Sequence, residues 1–315
     1  MASAMENTDC SYVDFSCVQT YVINLDDSHE RLARVRDQLM AADVDFRRIQ
    51  AVDGRKVSAK SFSEYDDRLA RRRYGRPLSG GEAGCFLSHR RCVQEFLNSE
   101  YEYALVLEDD VFLPANLRRV LMRLVNWLHQ SRGPQWDVVN LGNAPRKLSQ
   151  GLTRLKVQQQ ELELQAAYYF PLGTFGLLWS RSGAKRFLEQ THTIYAPVDQ
   201  FLRDWCAVSG QGLALTPALI GVDRSQSYIR HRLIDRMKLN LLFYWVMKNV
   251  RLARNHYNAR ATMAQATAVH ARLLQTATTS DYIASDGSTV QTTNSPVNLP
   301  KLDSENVSNS RKRCA

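Results

Sequence analysis

Three consecutive acids, Glu108-Asp109-Asp110, follow directly on the apolar run Tyr103 to Leu107 (YALVL), and no other residues in the sequence are better placed for chemistry. In an open α/β sheet ligands bind outside the carboxyl ends of the strands, which is where a strand of this kind delivers its acids. Side chains alternate in direction along extended backbone, so Glu108 and Asp110 are expected on one side. Two carboxylates on one side suit a hard divalent cation, Mn²⁺ or Mg²⁺, that also holds phosphate oxygens. The competing reading is that Asp109 or Asp110 caps the helix that follows.

Other polar residues sit at similar ends. Asn24 closes the run Val18 to Leu25, where its amide can meet a base or ribose edge or form an Asx-turn with Asp26. Asp53-Gly54 ends a second run, Phe46 to Val52, and is both a common turn dipeptide and a possible nucleotide contact. His89 shares a stripe with Cys85, Cys92 and Phe96, which reads as a buried histidine packing a helix, with Ser88 beside it. Glu82 pairs with Ser79 as a capping box. Asp199 follows Pro197 as a first-turn acid, favoured there by the helix dipole.

The elements that would carry these residues are legible in outline. Val18 to Leu25 and Phe46 to Val52 read as strands around a helix marked by Leu32, Val35 and Leu39, a β-α-β opening. Asp27 and Glu30 look like a capping box for that helix, and Arg71 to Arg76 like an irregular connection. After the acids, Pro114 marks a first helical turn, and Leu117, Leu121, Leu124 and Leu128 the buried face. Trp136 to Leu141, Gly173 to Ser180 and Leu213 to Ile220 read as further strands, and residues 145–165 as a hairpin or lid. Segments opened by Gly183 and Pro197 read as helices. The expected organisation is an N-terminal segment 1–17, an α/β catalytic domain 18–232, a basic helical extension 233–274 and a disordered polar tail 275–315.

Composition sets the bounds. Hydrophobic residues at 44% and charged ones at 23% allow a soluble globular core. The longest strongly apolar stretch, Leu241 to Met247, falls well short of the roughly 20 residues a membrane span needs. Met1 to Cys17 carries Glu6, Asp9 and Asp14 with no basic patch before an apolar run, so no secretory signal is expected. The six cysteines contain no C-x-x-C pair and are expected to be reduced thiols in a cytoplasmic protein. The net charge of +9 is concentrated in Arg68 to Arg76 and between Arg230 and Arg260, where Asp235 is the sole acid. Such blocks favour anionic partners or a solvated helix surface. Leu239 to Val246, with Phe243 and Trp245 beside basic residues, suits either burial on the domain or peripheral contact with the inner face of an anionic membrane.

The string Leu107 to Val111 (LEDDV), with Ser88-His89 upstream, resembles glycosyltransferase family 25, the family of bacterial lipooligosaccharide galactosyltransferases related to procollagen galactosyltransferases. Further motifs stand in the family's order: Val22 to Asp26 with Arg31, Ala51 to Gly54, Gly81 to Cys85, Leu87 to His89, Trp136-Asp137 with Leu141-Gly142, Gly173-Thr174, Gly183-Ala184 and Pro197 to Asp199. Leu177 departs from the tyrosine usual in the family.

The resemblance implies a GT-A-like nucleotide-diphospho-sugar transferase fold and inverting transfer from a UDP-sugar, UDP-galactose being favoured, to a saccharide or glycolipid acceptor. The triplet would be the D-x-D-type motif, with Asp110 on the metal and Glu108 by the ribose or a metal water. Asn24, Asp53, Gly54, Ser88, His89, Asp109 and Thr174 would line the donor pocket. Such a reaction needs a general base, for which Asp199 is the candidate. A late metal ligand would come from Asp223 or His231, and His231 is the better ligand type. The other function classes are a metal-dependent phosphotransferase, for which no P-loop is present, and a binding module using the basic blocks. For the latter no nucleic-acid motif is found, and nucleic acid is not an expected partner.

Overall fold

The computed structural model describes residues 14–130, 135–222 and 241–284. The chain opens with β1 (Val18–Asn24), α1 (His29–Ala41) and β2 (Phe46–Gln50), and β2 lies parallel to β1. Two helices follow, α2 (Asp67–Arg73) and α3 (Gly80–Leu97), and lead into β3 (Tyr103–Glu108), parallel to β1 on its other side. Beyond the acids come β4 (Val111–Phe112), α4 (Leu117–His129), β5 (Val138–Asn140), and the hairpin β6 (Ser149–Val157) and β7 (Gln160–Ala167). The described chain ends with β8 (Gly176–Ser180), α5 (Arg181–Gln190), α6 (Val198–Ser209), β9 (Gly212–Thr216), β10 (Gly221–Val222) and α7 (Leu241–Ala284).

Eight strands form one mixed sheet in the order β2-β1-β3-β8-β5-β9-β7-β6, and β10 pairs with β4 outside it. This is the open α/β sheet flanked by helices that the sequence leads one to expect, with a helical C-terminal region. Alternation along β3 feeds two cores. Tyr103, Leu105 and Leu107 pack with Val35 and Leu39 of α1 and the leucines of α4. Ala104 and Val106 pack on the other face with Phe86 and Phe96 of α3, Phe187 of α5 and Phe201 of α6. Glu108 therefore leaves the sheet on the α3 and α6 side.

Several local expectations are corrected. Arg71 to Arg73 end a helix, because Asp66 caps it by accepting from the Leu69 amide at 2.8 Å and the arginines sit at its negative end. The cap of α1 is Ser28, without a side-chain bond to the helix. Asp27 is taken instead by Arg55 at 2.7 Å and Asp26 by Arg48 at 2.6 Å. The helix after Pro114 starts at Leu117. Of the two readings for residues 145–165, the hairpin is the one present, as β6 and β7 at the edge of the sheet. Helix α7 runs to Ala284, past the boundary expected at 274. Among the described residues Cys17, Cys85, Cys92 and Cys206 are free thiols, and no helix is long and apolar enough to cross a membrane.

Candidate functional site

A cavity of about 380 Å³ opens where β1, β2 and β3 end, lined by Ile23, Arg31, Ala51 to Arg55, Ser79, Gly81, Cys85, Ser88, His89 and all three acids. Its wall depends on close backbone approach. A Cβ on Gly54 would lie 1.8 Å from the Gly80 carbonyl, and one on Gly84 2.5 Å from that of Val52. Only glycine lets the loop after β2 rest on α3 this tightly. Ser88 completes the join, donating to the Gly84 carbonyl at 2.7 Å and accepting from the Val52 amide at 2.8 Å. The capping box of Ser79 and Glu82 holds the first turn of α3. Asp53 is gripped by the side chain and amide of Arg55, which brings its pKa down to about 2.

The three acids are held in different ways. Glu108 accepts from Thr174 Oγ1 at 2.7 Å and faces His89 Nε2 at 3.3 Å. Asp109 turns to the α1 side, accepting from Asn24 Nδ2 at 2.7 Å and Arg31 at 3.1 Å. Asn24 also donates to the Ser28 carbonyl and accepts from Arg48 at 3.0 Å, so its buried amide is committed to protein partners. Asp110 has one oxygen 3.8 Å from Arg31, while its Oδ1 is buried and makes no hydrogen bond. The alternation expected to pair Glu108 with Asp110 ends at Glu108, because 109 and 110 form a turn. All three acids nonetheless line the same cavity.

Electrostatics separates the triplet. Burial works against the charge on Glu108, but His89 and Thr174 outweigh it and leave its pKa below the usual value. Asp109 is raised by burial despite Asn24 and Arg31. Asp110 is raised to about 7, by burial first and then by the neighbouring Glu108 charge. A buried carboxylate with an unpartnered oxygen beside like charges lacks a cation. The carboxylate oxygens of Asp110 and Glu108 are a donor set whose chemistry fits a hard divalent cation. Cys85, His89 and Glu108 also bring their ligand atoms within 4.8 Å of one another. Burial there pushes the Cys85 thiol well up, which disfavours the thiolate that a softer metal takes.

Asp199, in the first turn of α6, is tied to the Gln200 amide at 2.7 Å and to the Gly173 backbone. Burial raises its pKa, and the Glu108 charge adds to that. The loop carrying Gly173 and Thr174 is set by Asn140 at the end of β5, which donates to the Gly173 carbonyl at 3.0 Å. Leu177 is fully buried in the core. His231 and Asp223 lie outside the described residues. Sequence reasoning gave no role to Arg31 or Arg55, although each stands on the cavity wall. Arg31 is held by Asp109 from the end of β3, a pairing no local pattern marks, while Arg55 is held by its neighbour Asp53 and by Asp27 before α1.

The sequence matches the family described as glycosyltransferase family 25 (LPS biosynthesis protein) over residues 17–202, more than half of the chain. The chain belongs to glycosyltransferase family 25. The matched part of this family 25 chain holds every described candidate residue, from Asn24 to Asp199, and excludes α7. Procollagen galactosyltransferase 1-B of Xenopus laevis is 28% identical over 193 residues, covering 58% of this chain and 30% of its own length. Procollagen galactosyltransferase 2 of Homo sapiens is 26% identical over 189 residues, covering 58% and 29%. The chain thus spans less than a third of the length of these curated relatives. A solved glycosyltransferase involved in glycosylating the major capsid of PBCV-1 is 10% identical with a TM-score of 0.36, covering 74% of this chain and 98% of that one.

Proposed function

We propose that this family 25 glycosyltransferase uses a GT-A-like site to move a hexose, galactose being favoured, from a UDP-sugar to a saccharide hydroxyl with inversion. The acceptor class is a lipooligosaccharide or lipopolysaccharide glycan, reached from the cytoplasmic face of a membrane. The observation that carries the reading is the unpartnered, buried Asp110 Oδ1, in a cavity at strand ends with Glu108 and Asp109 beside it. The galactose preference is supported by the names of the relatives, and the glycan class by the family's description.

The geometry supports the following roles. Asp110 and Glu108 would hold a Mn²⁺ or Mg²⁺ ion, whose charge would supply electrostatic stabilisation to a leaving diphosphate. Asp109 does not compete for it, because Asn24 and Arg31 keep it turned to α1. The loop of Asp53 and Gly54, clamped by Ser88, forms the wall on which the nucleotide rests. His89 and Thr174 fix the Glu108 carboxylate from two sides. Asp199 takes the acceptor hydroxyl proton, and its raised pKa makes it a better base than an exposed carboxylate.

A screen of UDP-sugars for Mn²⁺-dependent UDP release tests this, since slow donor hydrolysis needs no acceptor. UDP-galactose is expected to react fastest, and Asp110→Ala to lose activity at least a hundredfold. Calorimetry showing no Mn²⁺-promoted uptake of UDP, or an unaffected Asp110→Ala, overturns the proposal.

A further inference from the structure

Helix α7 turns a mixed side to the domain, where Ala259 is fully buried in the core and Met263 and Ala266 pack against it. The side it turns to the domain carries Arg251, Asn255 and Thr262, all buried. Arg251 donates to the Tyr74 carbonyl at 2.7 Å, Asn255 to Asp204 at 2.5 Å, and Thr262 to the Ala207 carbonyl at 2.9 Å. The side it turns outward is apolar over its first turns. Leu242 is 72% exposed and Trp245 62%, with Phe243, Val246 and Val250 also exposed. Leu242, Val246 and Val250 follow one another at intervals of one helical turn, so they form a single stripe.

The charge around this stripe has one sign. From Arg236 to Ser280 the sequence contains no Asp or Glu, and Lys248 is exposed within the stretch. Helix α2 adds Arg68, Arg72 and Arg73, all exposed, while Arg71 pairs with Asp67 at 3.0 Å. The chain just past the end of α2 meets α7 closely at Gly75, where a Cβ would lie 2.7 Å from Met247 Cβ. The arginines of α2 and the start of α7 therefore belong to one surface.

We infer that this surface docks on an anionic phospholipid bilayer, with the stripe of α7 entering the acyl boundary and the α2 arginines and Lys248 meeting headgroup phosphates. Its composition is that of a helix lying in the membrane interface, and cations near such a surface strengthen the contact. A second copy of this chain would bring the same cations to the same place, and like charges disfavour that contact. Nucleic acid would satisfy the arginines but leave the aliphatic stripe in water. The surface is also rigidly joined to the cavity. Tyr74 lies between Arg251, 4.4 Å from its ring, and Arg76, 4.7 Å from it. Arg76 in turn holds Glu82 of the cavity-lining turn at 2.6 Å. Docking would thus hold the cavity at a fixed place relative to the lipid, which matters for a lipid-borne acceptor; that last step rests on the proposed transfer.

The test is flotation of the full chain with phosphatidylcholine vesicles with and without phosphatidylglycerol, alongside size-exclusion light scattering and a labelled RNA. Binding to the anionic vesicles alone is expected. Leu242→Ala with Val246→Ala, and separately Arg68, Arg72 and Arg73→Glu, are each expected to weaken it at least tenfold, with Mn²⁺-dependent UDP binding unchanged in both. Equal binding by either variant, no flotation of the parent, a dimer dissociated by the double alanine variant, or RNA binding without vesicle binding overturns the inference. Flotation involves no transfer and donor hydrolysis no membrane, so the two proposals fail separately.

Discussion

Thr174 Oγ1 donates a 2.7 Å hydrogen bond to Glu108 Oε1, joining the loop before β8 to the end of β3. That bond, with His89, keeps Glu108 ionised in a place where burial alone would neutralise it. Thr174→Val removes the donor at nearly constant volume. A hydrogen bond to a charged group is worth about 1.5–3 kcal/mol, so the Glu108 pKa should rise and Mn²⁺-supported UDP affinity should fall roughly tenfold near pH 6. The deficit should shrink as pH rises towards 8, because the Glu108 proton is then easier to lose. Thr174→Ser restores the donor and should restore the affinity. Calorimetry across this pH range checks both variants, and a pH-independent deficit would point to lost packing instead.

Asp110 predicts a different pH dependence. Its folded pKa of about 7 lies above that of an unfolded carboxyl, so between roughly pH 4 and 7 the folded state binds the extra proton. Its contribution to stability is complete below about pH 4 and is lost as pH rises through 7. Asp110→Asn removes that loss, so its melting temperature should exceed that of the parent at pH 8 and match it near pH 4. Saturating Mn²⁺ should close the gap at pH 8 by stabilising only the parent. Below pH 7 the ion competes with the proton, and Mn²⁺ affinity should fall up to tenfold per pH unit. Thermal shift assays at three pH values with and without Mn²⁺ measure all of this. A less stable Asp110→Asn at pH 8 without metal contradicts the account.

The sequence showed the opening β-α-β unit, the strand-end acids and the Ser79 capping box because each is set by neighbours in the chain. What it hid depends on partners far along the chain. Asp27 looks like a cap for α1 until Arg55 draws it away. The arginines of α2 obscured Asp66, the residue that starts that helix. Asp109 and Asp110 stand in a turn beyond the strand, so alternation along β3 does not by itself set the direction of Asp110. In α7 the apolar residues suit either packing or a membrane by sequence, and what the sequence does not mark is that Arg251, Asn255 and Thr262 are buried by bonds to Tyr74, Asp204 and Ala207.

Ser88 is predicted to act on the donor through the cavity wall. Ser88→Ala takes away the acceptor for the Val52 amide and loosens the loop bearing Asp53 and Gly54. The unmade bond costs about 1–2 kcal/mol, or roughly 2–8 °C in melting temperature for a chain of this size. KM for the UDP-sugar should rise more than kcat falls, since the loop shapes binding and not the reacting centre. Ser88→Thr, which can keep the hydroxyl bonds, should recover most of the KM. A fall in kcat alone would place Ser88 among the groups that touch the reacting atoms.

Asp199 separates chemistry from binding most sharply. Asp199→Asn keeps the shape and one oxygen for the Gln200 and Gly173 backbone, yet cannot take a proton. Loss of a general base costs about 10²- to 10⁴-fold in rate, so transfer to an acceptor should fall by at least a hundredfold. UDP affinity with Mn²⁺ should stay within about twofold, because nothing in the cavity lining changes. Burial and Glu108 already penalise the Asp199 charge, so the neutral amide should leave the fold as stable as before, or more so, at neutral pH. The acid limb of the parent's pH–rate profile should disappear in whatever activity remains. Full transfer by Asp199→Asn would remove this residue from the mechanism, and joint loss of transfer and UDP binding would make it part of the donor site.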